Sequence, residues 1–267
     1  MPGTPGHPRS YAVNVHTVVD LVTGLEWQRV IEPTLRTWTE ASNFCNTLSL
    51  EGNDDWRLPG RIEALSLLNF DANFWQNDID PISFPVIPTG NTLWTSSLDS
   101  LSTPFSIDEN QARLDAYLPD PFPQYGRCVR GSATPPLGGH FTVNGDGTVS
   151  DNGTGLVWQR NLGQRVRFNA AVSYCSTLTI AGQGGFRLPT ITELLTIADE
   201  SRTHPSRDIS IFPLESTIDL NPGSSLWSSS SNANNDIWIM YMDRVAIEPT
   251  RLYGPGVDPR SHVRCVR

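Results

Sequence analysis

Lysine is absent from this sequence: all 19 basic residues among its 267 are arginine. The absence excludes sites that need a lysine side chain, such as a Walker-type phosphate loop, a Schiff-base lysine or a Ser-x-x-Lys nucleophile. Genomic base composition is its simplest explanation. The chain also has no excess of positive charge, because its acidic residues, 28 in number, bring the net charge to −9. Affinity for nucleic acid rests on cations that face phosphates, so we expect no nucleic-acid partner.

Long apolar runs are missing too, and none approaches the roughly 18 residues of a membrane-spanning helix. We therefore expect no membrane span. Residues 1–10 are rich in Pro and Gly and lack the apolar centre of a signal peptide. Either the chain is not secreted by that route, or a native leader has been removed or replaced. The cysteines discussed below favour the second explanation.

The sequence contains an internal repeat. The pattern Asp-x-x-Thr-Gly-Leu-x-Trp-Gln-Arg ends at Arg29 and again at Arg160. Five more blocks follow in the same order in both halves: Arg-Leu-Pro at 57–59 and 187–189, Glu63 and Glu193, Phe-Pro at 84–85 and 212–213, Trp-x-Ser-Ser at 94–97 and 227–230, and Arg-Cys-Val-Arg at 127–130 and 264–267. The chain is therefore a tandem duplication, with a first domain at 11–130, a Pro/Gly linker at 131–139 and a second domain at 140–267.

Within one copy the patterns predict an α+β fold. Residues 141–151 are typical of a hairpin, and residues 236–242 of a strand. Phe168, Ala171, Cys175 and Leu178 form one helical apolar stripe, and Trp38, Ala41, Cys45 and Leu48 form the same stripe in the first copy. A second helix begins after Arg-Leu-Pro, with Thr190 and Glu193 as a capping box. We expect two helices packed on a small, mainly antiparallel sheet in each copy.

The four cysteines permit three pairings, and the repeat selects one of them. Each copy has one cysteine on its first helix and one on its final strand, which we expect to contain Arg-Cys-Val-Arg, so Cys45–Cys128 and Cys175–Cys265 are the self-consistent disulfides. Buried free thiols are one alternative. A metal site is another, although it would need clustered Cys and His, and the five histidines are scattered. Disulfides would indicate an oxidising compartment.

Together these blocks resemble the Lcl C-terminal domain, the globular end of a collagen-like bacterial surface adhesin. The resemblance covers nearly all of both copies. It implies a C-type-lectin-like fold of the kind shared with formylglycine-generating enzymes, an extracellular location, and a disulfide between the first helix and the last strand. The adhesin binds sulfated polysaccharide, but the net charge of −9 argues against such a polyanion here.

Residues that recur in both copies are interpreted as scaffold. We expect the large aromatic rings to fill the two cores, the glutamates to cap helices, and the arginines before Leu-Pro to form half-buried ion pairs. These residues are Trp27, Trp94, Trp158 and Trp227; Glu63 and Glu193; and Arg57 and Arg187.

A short calcium-binding loop is a weaker hypothesis. Asn144, Asp146, Thr148 and Asp151 could supply oxygen ligands, but an EF-hand would need a glutamate at its twelfth position. A hairpin turn explains the same residues, and the first copy has Val-Asn-Val-His-Thr there. We therefore predict no cofactor.

Ligand contacts are expected where the copies differ, near the C-terminus of the second copy. Interaction surfaces are enriched in Trp, Tyr and Arg. Between Asn232 and His262 the candidate residues are Trp238, Tyr241, Arg244, Arg251, Tyr253 and Arg260. Trp238, Met240 and Met242 alternate with Ile237, Ile239 and Tyr241 along one strand, so one of these two faces is expected to be core.

The functional prediction is a non-enzymatic extracellular binding or adhesion module whose ligand is a glycan or a protein surface. The alternative is a structural subunit of a bacterial surface appendage, which would bind copies of itself. An enzyme is the third hypothesis. No nucleophile, base or metal set is placed to suggest one, and the repeat accounts for all four cysteines.

Overall fold

The two halves of the sequence form two separate α+β units. The computed structural model describes residues 10–70, 79–85, 92–98, 102–108, 113–115, 123–131, 141–199, 202, 207–213, 224–243, 246–250 and 259–267. The units are Met1–Pro135 and Pro136–Arg267, and their division lies inside the predicted linker. Over the ranges just given, no helix is long and apolar enough to cross a membrane.

The described residues of the first unit form two helices and two small sheets. Its elements are β1 (Tyr11–Val13), β2 (Thr17–Asp20), β3 (Glu26–Gln28), α1 (Trp38–Thr47), α2 (Arg61–Ser66), β4 (Thr92–Leu98), β5 (Pro104–Asp108), β6 (Arg113–Asp115) and β7 (Val129–Arg130). One sheet has the order β1-β2-β3-β7 and the other the order β4-β5-β6. All of these pairs are antiparallel.

The second unit repeats this arrangement with a longer sheet. Its elements are β8 (Phe141–Val143), β9 (Thr148–Asp151), β10 (Val157–Gln159), β11 (Gly163–Val166), α3 (Phe168–Thr177), α4 (Ile191–Thr196), β12 (Ser225–Ser231), β13 (Ile237–Tyr241), β14 (Ile247–Thr250) and β15 (Ser261–Val263). The sheets are β10-β9-β8 and β11-β15-β12-β13-β14. β12 and β15 are parallel, and the other pairs are antiparallel.

The helices begin where the sequence predicts. α1 starts after Thr37, which forms a capping box with Glu40, and α4 starts after Thr190, which forms one with Glu193. α3 starts after Arg167, whose side chain makes no capping hydrogen bond. A reciprocal cap satisfies backbone N–H groups that have no partner inside the helix, so α1 has a better-satisfied N-terminus than α3.

Each unit is closed by the predicted disulfide. Cys45–Cys128 and Cys175–Cys265 join the first helix of a unit to its C-terminal segment, and no cysteine is free. The first disulfide lies in a core with Trp56 and Trp94. The second disulfide lies in an equivalent core with Phe186 and Trp227. Both predicted pairings are confirmed.

Two details of the sequence prediction are corrected. In the first unit the second half of the Arg-Cys-Val-Arg segment, Val129–Arg130, forms strand β7, whereas in the second unit the last strand, β15, ends at Val263, before the segment begins. There Val266 forms only isolated bridges, to Trp158 and Arg187. In addition, both faces of β13 are buried, where the alternation predicted one core face. Ile237 and Ile239 pack near the disulfide, while Trp238, on the opposite face, is only 1% exposed.

Candidate functional site

The recurring tryptophans are scaffold in both units, as predicted. Trp27, Trp94, Trp158 and Trp227 have no exposed surface. The indole nitrogens of Trp94 and Trp227 donate to the carbonyl oxygens of Arg36 and Val166, both at 2.8 Å. The rings therefore anchor the segment that leads into the first helix of each unit, and they are not available to a ligand.

The recurring ion pairs are confirmed with nearly identical geometry. Arg57 donates two hydrogen bonds to the carboxylate of Glu63 at 2.7 and 2.8 Å. Arg187 donates two to Glu193, both at 2.7 Å. The same carboxylates accept from the backbone N–H that precedes each helix, at 2.7 Å. Each glutamate therefore fastens Arg-Leu-Pro to the following helix.

Electrostatics at the second of these pairs favour the charged forms. Burial raises the pKa of the Glu193 carboxyl, but hydrogen bonds from Arg187 and the Thr190 backbone outweigh it, so the pKa lies below its ordinary value. The hydrogen bond to Glu193 raises the pKa of the Arg187 guanidinium. Half-buried, doubly hydrogen-bonded pairs of this kind hold structure together, so the two residues belong to the scaffold.

Sequence reasoning gave no role to the first arginine of Arg-Cys-Val-Arg, which is fully buried in both units. Arg127 donates to the carbonyl oxygens of Gln28 and Arg29 at 2.8 and 3.0 Å, and its guanidinium lies 4.9 Å from the Phe84 ring centre. Arg264 lies 4.8 Å from the Phe212 ring centre in the same arrangement. The sequence did contain a signal for this buried role, because the arginine before the cysteine and the Phe-Pro pair both recur in the two copies.

The six ligand candidates fall into three groups. Arg244, Arg251 and Tyr253 lie outside the described residues. Trp238 is in the core, so its ring cannot contact a ligand in this structure, and that candidate is corrected. Tyr241 is half-buried and donates through its hydroxyl to Glu248 at 3.1 Å, and Arg260 is exposed.

The Asn-rich segment before β13 is a tight turn. The Asn232 side chain is almost fully buried, and its oxygen accepts from the backbone N–H groups of Asn234 and Asp236 at 3.0 and 2.9 Å. Asn235 adopts a positive φ of 63°, which asparagine tolerates better than most residues. The amide of Asn232 therefore serves the turn between β12 and β13.

The oxygens of the calcium hypothesis are used by two turns. Asp146 accepts from the backbone and hydroxyl of Thr148 at 2.9 and 2.6 Å. Asp151 accepts from Gly153 and Thr154 in the next turn. In the part of the chain that the structure describes, no group of three or more His, Cys, Asp or Glu could hold a metal ion. The hairpin interpretation accounts for these residues.

The structure places Arg260 next to two arginines that the sequence analysis did not single out. Arg165 and Arg167 are exposed on and just after β11, the edge strand of the longer sheet. The Arg165 Nε donates to the carbonyl oxygen of Arg260 at 3.0 Å, across 95 residues of sequence. We call these three residues the arginine edge.

The first unit has no such edge at the corresponding positions. Arg36 takes the place of Val166, since the carbonyl of each accepts from a core tryptophan. Leu35 and Thr37 therefore correspond to Arg165 and Arg167. Aligning the two copies at these positions would have revealed the arginines as a feature of the second unit alone.

Comparison with known proteins gives one family and no curated relative. The model of the Lcl C-terminal domain family matches residues 16–130 and again residues 147–267. No curated protein matches the chain. The two matched ranges contain both disulfides, both Arg–Glu pairs and the four tryptophans that recur in the two copies.

Proposed function

Because this chain belongs to the Lcl C-terminal domain family, with two tandem copies of its domain, we propose that it is a non-enzymatic extracellular binding module. The family indicates a bacterial surface or adhesion-type protein. The finer proposal is that the chain adheres to a glycan or a protein surface on a C-type-lectin-like fold. Two disulfides support an oxidising compartment, since such bonds persist outside the cytosol.

The observation that supports binding most directly is the arginine edge. Arg165, Arg167 and Arg260 lie at the exposed edge of one sheet, and guanidinium groups form paired hydrogen bonds with carboxylates and other planar or tetrahedral anions. The recurring side chains are used for the scaffold, whereas these arginines differ from their counterparts in the first unit. We therefore place the ligand surface on the second unit, with a ligand that presents acidic groups.

Two arginine variants test this proposal. Arg165→Ala and Arg260→Ala are introduced separately into the full oxidised chain, which is then screened on a glycan array and against immobilised bacterial surface proteins. We expect each variant to lose binding that the parent chain shows. Binding should also weaken as salt rises, because exposed charges are screened over about 8 Å at physiological ionic strength.

Arg202→Ala is the matched control. This arginine lies in the same unit, is partly exposed and pairs with Asp199 at 2.8 Å. Its removal changes the net charge equally but leaves the arginine edge intact, so binding should persist. Equal losses of binding for all three variants would show that binding depends only on net charge and would contradict the proposed surface.

A further inference from the structure

The net negative charge of the chain lies almost entirely in the first copy. Residues 11–130 contain 16 acidic residues and 7 arginines, while residues 140–267 contain 12 acidic residues and 11 arginines. The first copy therefore accounts for the net charge, and the second is almost balanced. Two copies of one scaffold have diverged in charge, and this divergence can be followed at positions that correspond in structure.

One such position is the hairpin loop after the first helix of each unit. Leu50 pairs with Asn53 in the first unit, and Ile180 pairs with Gln183 in the second. The residues that follow Leu50 and Ile180 adopt the same left-handed backbone conformation, with φ of 52° at Glu51 and 50° at Ala181. The loops are therefore equivalent in conformation.

Their side chains differ in charge. In the first unit Glu51, Asp54 and Asp55 are all exposed, and only Asp55 pairs with an arginine, Arg130, among the described ion pairs. The matching residues in the second unit are Ala181, Gly184 and Gly185. We call Glu51, Asp54 and Asp55 the acidic loop.

Exposed apolar residues of the first unit lie beside Arg29, an arginine that recurs in the second copy as Arg160. Arg29 donates to the carbonyl oxygens of Val15 and Ser83, at 3.4 and 3.3 Å. Val15 therefore lies beside Arg29, together with Val30 and Ile82, which are the chain neighbours of Arg29 and Ser83, and the three residues are 71, 51 and 81% exposed. We call these three residues the apolar patch.

The second unit has the same arginine in a polar setting. Arg160 donates to the carbonyl oxygens of Ile211 and Ser210, each at 3.2 Å. Asp146, Asn161 and Ser210 stand where the first unit has Val15, Val30 and Ile82. Ile209 is exposed in this loop, at the position of Pro81.

The acidic loop and the apolar patch form one surface. Glu51 accepts a hydrogen bond from the backbone N–H of His16 at 2.9 Å, and His16 directly follows Val15 in the turn between β1 and β2. The loop therefore borders the patch. An apolar centre with a charged rim is the composition of a protein interaction surface.

The second unit presents the complementary surface. Tyr174, which is 36% exposed, lies beside the strand that carries Arg165, because its ring would lie 3.3 Å from a side chain at Gly163 on β11. Exposed arginine beside an exposed aromatic ring suits a partner with carboxylates around an apolar centre. The first unit of this same chain has both features.

We propose that the arginine edge of one chain docks on the acidic loop and apolar patch of the first unit of a second chain. This deepens the proposed function, on which it rests, by naming the protein surface that is bound. The two surfaces differ, so the contact is heterologous. In such a pair one chain retains its arginine edge and the other retains its acidic loop and apolar patch, so further chains can join until the assembly closes into a ring or grows as an open filament.

Sedimentation velocity of the full oxidised chain tests the proposal. Species larger than one chain should grow with concentration at low salt and dissociate at high salt, as the screening length falls from about 30 Å at 0.01 M to about 3 Å at 1 M. A parent chain that stays monomeric throughout would overturn the proposal. If that monomer still bound an acidic glycan or another protein through Arg165 and Arg260, the proposed function would stand without this partner.

Variants that exchange residues between the copies assign the contact. The double variant Val30→Asn/Ile82→Ser gives the first unit the residues of the second, and Arg165→Leu/Arg167→Thr gives the second unit those of the first. Each residue is already accommodated by the same scaffold, so the melting temperature should be preserved. Each double variant alone should remain monomeric, and assembly equal to that of the parent would refute the proposal.

Mixing the two variants gives the sharpest test. One retains the acidic loop and apolar patch, and the other retains the arginine edge, so the mixture should form pairs that grow no further. Leu21→Asn is the control. Leu21 is exposed, follows β2 at the end away from Val15, and has Asn152 as its counterpart in the second copy. This variant should assemble like the parent. A mixture without pairs would contradict a heterologous contact.

Discussion

At the scale of single residues, burial separates scaffold from surface more sharply than residue type does. Tryptophan and arginine are both typical of binding surfaces. In this chain Trp238 is in a core, and Arg127 and Arg264 are buried beneath phenylalanine rings. Arg165 and Arg260, by contrast, are exposed. Composition therefore cannot assign these residues until their surroundings are known.

Replacing Trp238 should destabilise the second unit. Trp238→Ala removes a large aromatic ring from a well-packed site, a change that typically costs about 3–5 kcal/mol. We expect the melting temperature of that unit to fall by on the order of 10 °C, measured by near-ultraviolet circular dichroism. Tyr241→Phe, which keeps the ring and loses the bond to Glu248, should have a much smaller effect. An unchanged melting temperature for Trp238→Ala would contradict the buried position.

The Glu193 carboxylate should make the second unit sensitive to acid. Its pKa is lowered in the folded state, so its stabilising contribution is full above the unfolded-state pKa and is lost as pH falls through the folded-state value. Glu193→Gln should therefore lower the free energy of unfolding near neutral pH, and the difference from the parent should shrink in acid. Chemical denaturation at several pH values measures it. A difference that stays constant with pH would exclude the carboxylate as its source.

At the scale of elements, equivalent helices in the two units start differently. Thr37 caps α1 through a capping box with Glu40, whereas α3 begins after Arg167 without a side-chain cap. The shared apolar stripe fixes both helices in place, so a good cap adds to stability without being required.

Removing the threonine cap should therefore weaken α1. We expect Thr37→Ala to lower the free energy of unfolding of the first unit by about 0.5–2 kcal/mol, the usual cost of losing such a cap. Denaturant titration measures this change. Arg167→Ala at the matching position of α3 is the control and should cost less, because its side chain makes no capping bond. Equal losses would show that the cap contributes nothing specific.

The edge strand β11 is an element that the sequence pattern did not predict. It pairs with β15 across about a hundred residues, and Gly163 allows the close approach, since a side chain there would lie 3.0 Å from the carbonyl oxygen of Val263. Among the described residues of the first unit, the same region forms an isolated bridge between Arg36 and Gln124 in place of a strand. Short strands of this kind depend on their partner, which local sequence does not reveal.

At the scale of the whole molecule, the chain should behave as two folding units. Residues 11–130 and 140–267 each have their own core, disulfide and helices, so each should fold when expressed alone under oxidising conditions. Cooperative thermal unfolding of both fragments would support this. Loss of cooperativity in either fragment would show that its core depends on the other half.

Each disulfide should stabilise its own unit. The cross-links close sequence separations of 83 and 90 residues, worth about 4–5 kcal/mol each in the chain-entropy model against a usual total of about 5–15 kcal/mol. Cys175→Ser/Cys265→Ser should lower only the unfolding transition of the second unit, and Cys45→Ser/Cys128→Ser only that of the first. Differential scanning calorimetry resolves the two. Loss of both transitions in either variant would contradict independent units.

The sequence by itself determined the duplication, the disulfide pairing, the helix starts and the scaffold roles of Trp94, Trp227 and the Arg–Glu pairs. These features recur in both copies or follow local spacing rules, so they can be predicted from the sequence alone. Only the tertiary structure decided that both faces of β13 are buried and that Arg165 lies beside Arg260. Burial and surface clustering depend on which distant segments pack together, and the alternation of residues along one strand contains no information about what covers it.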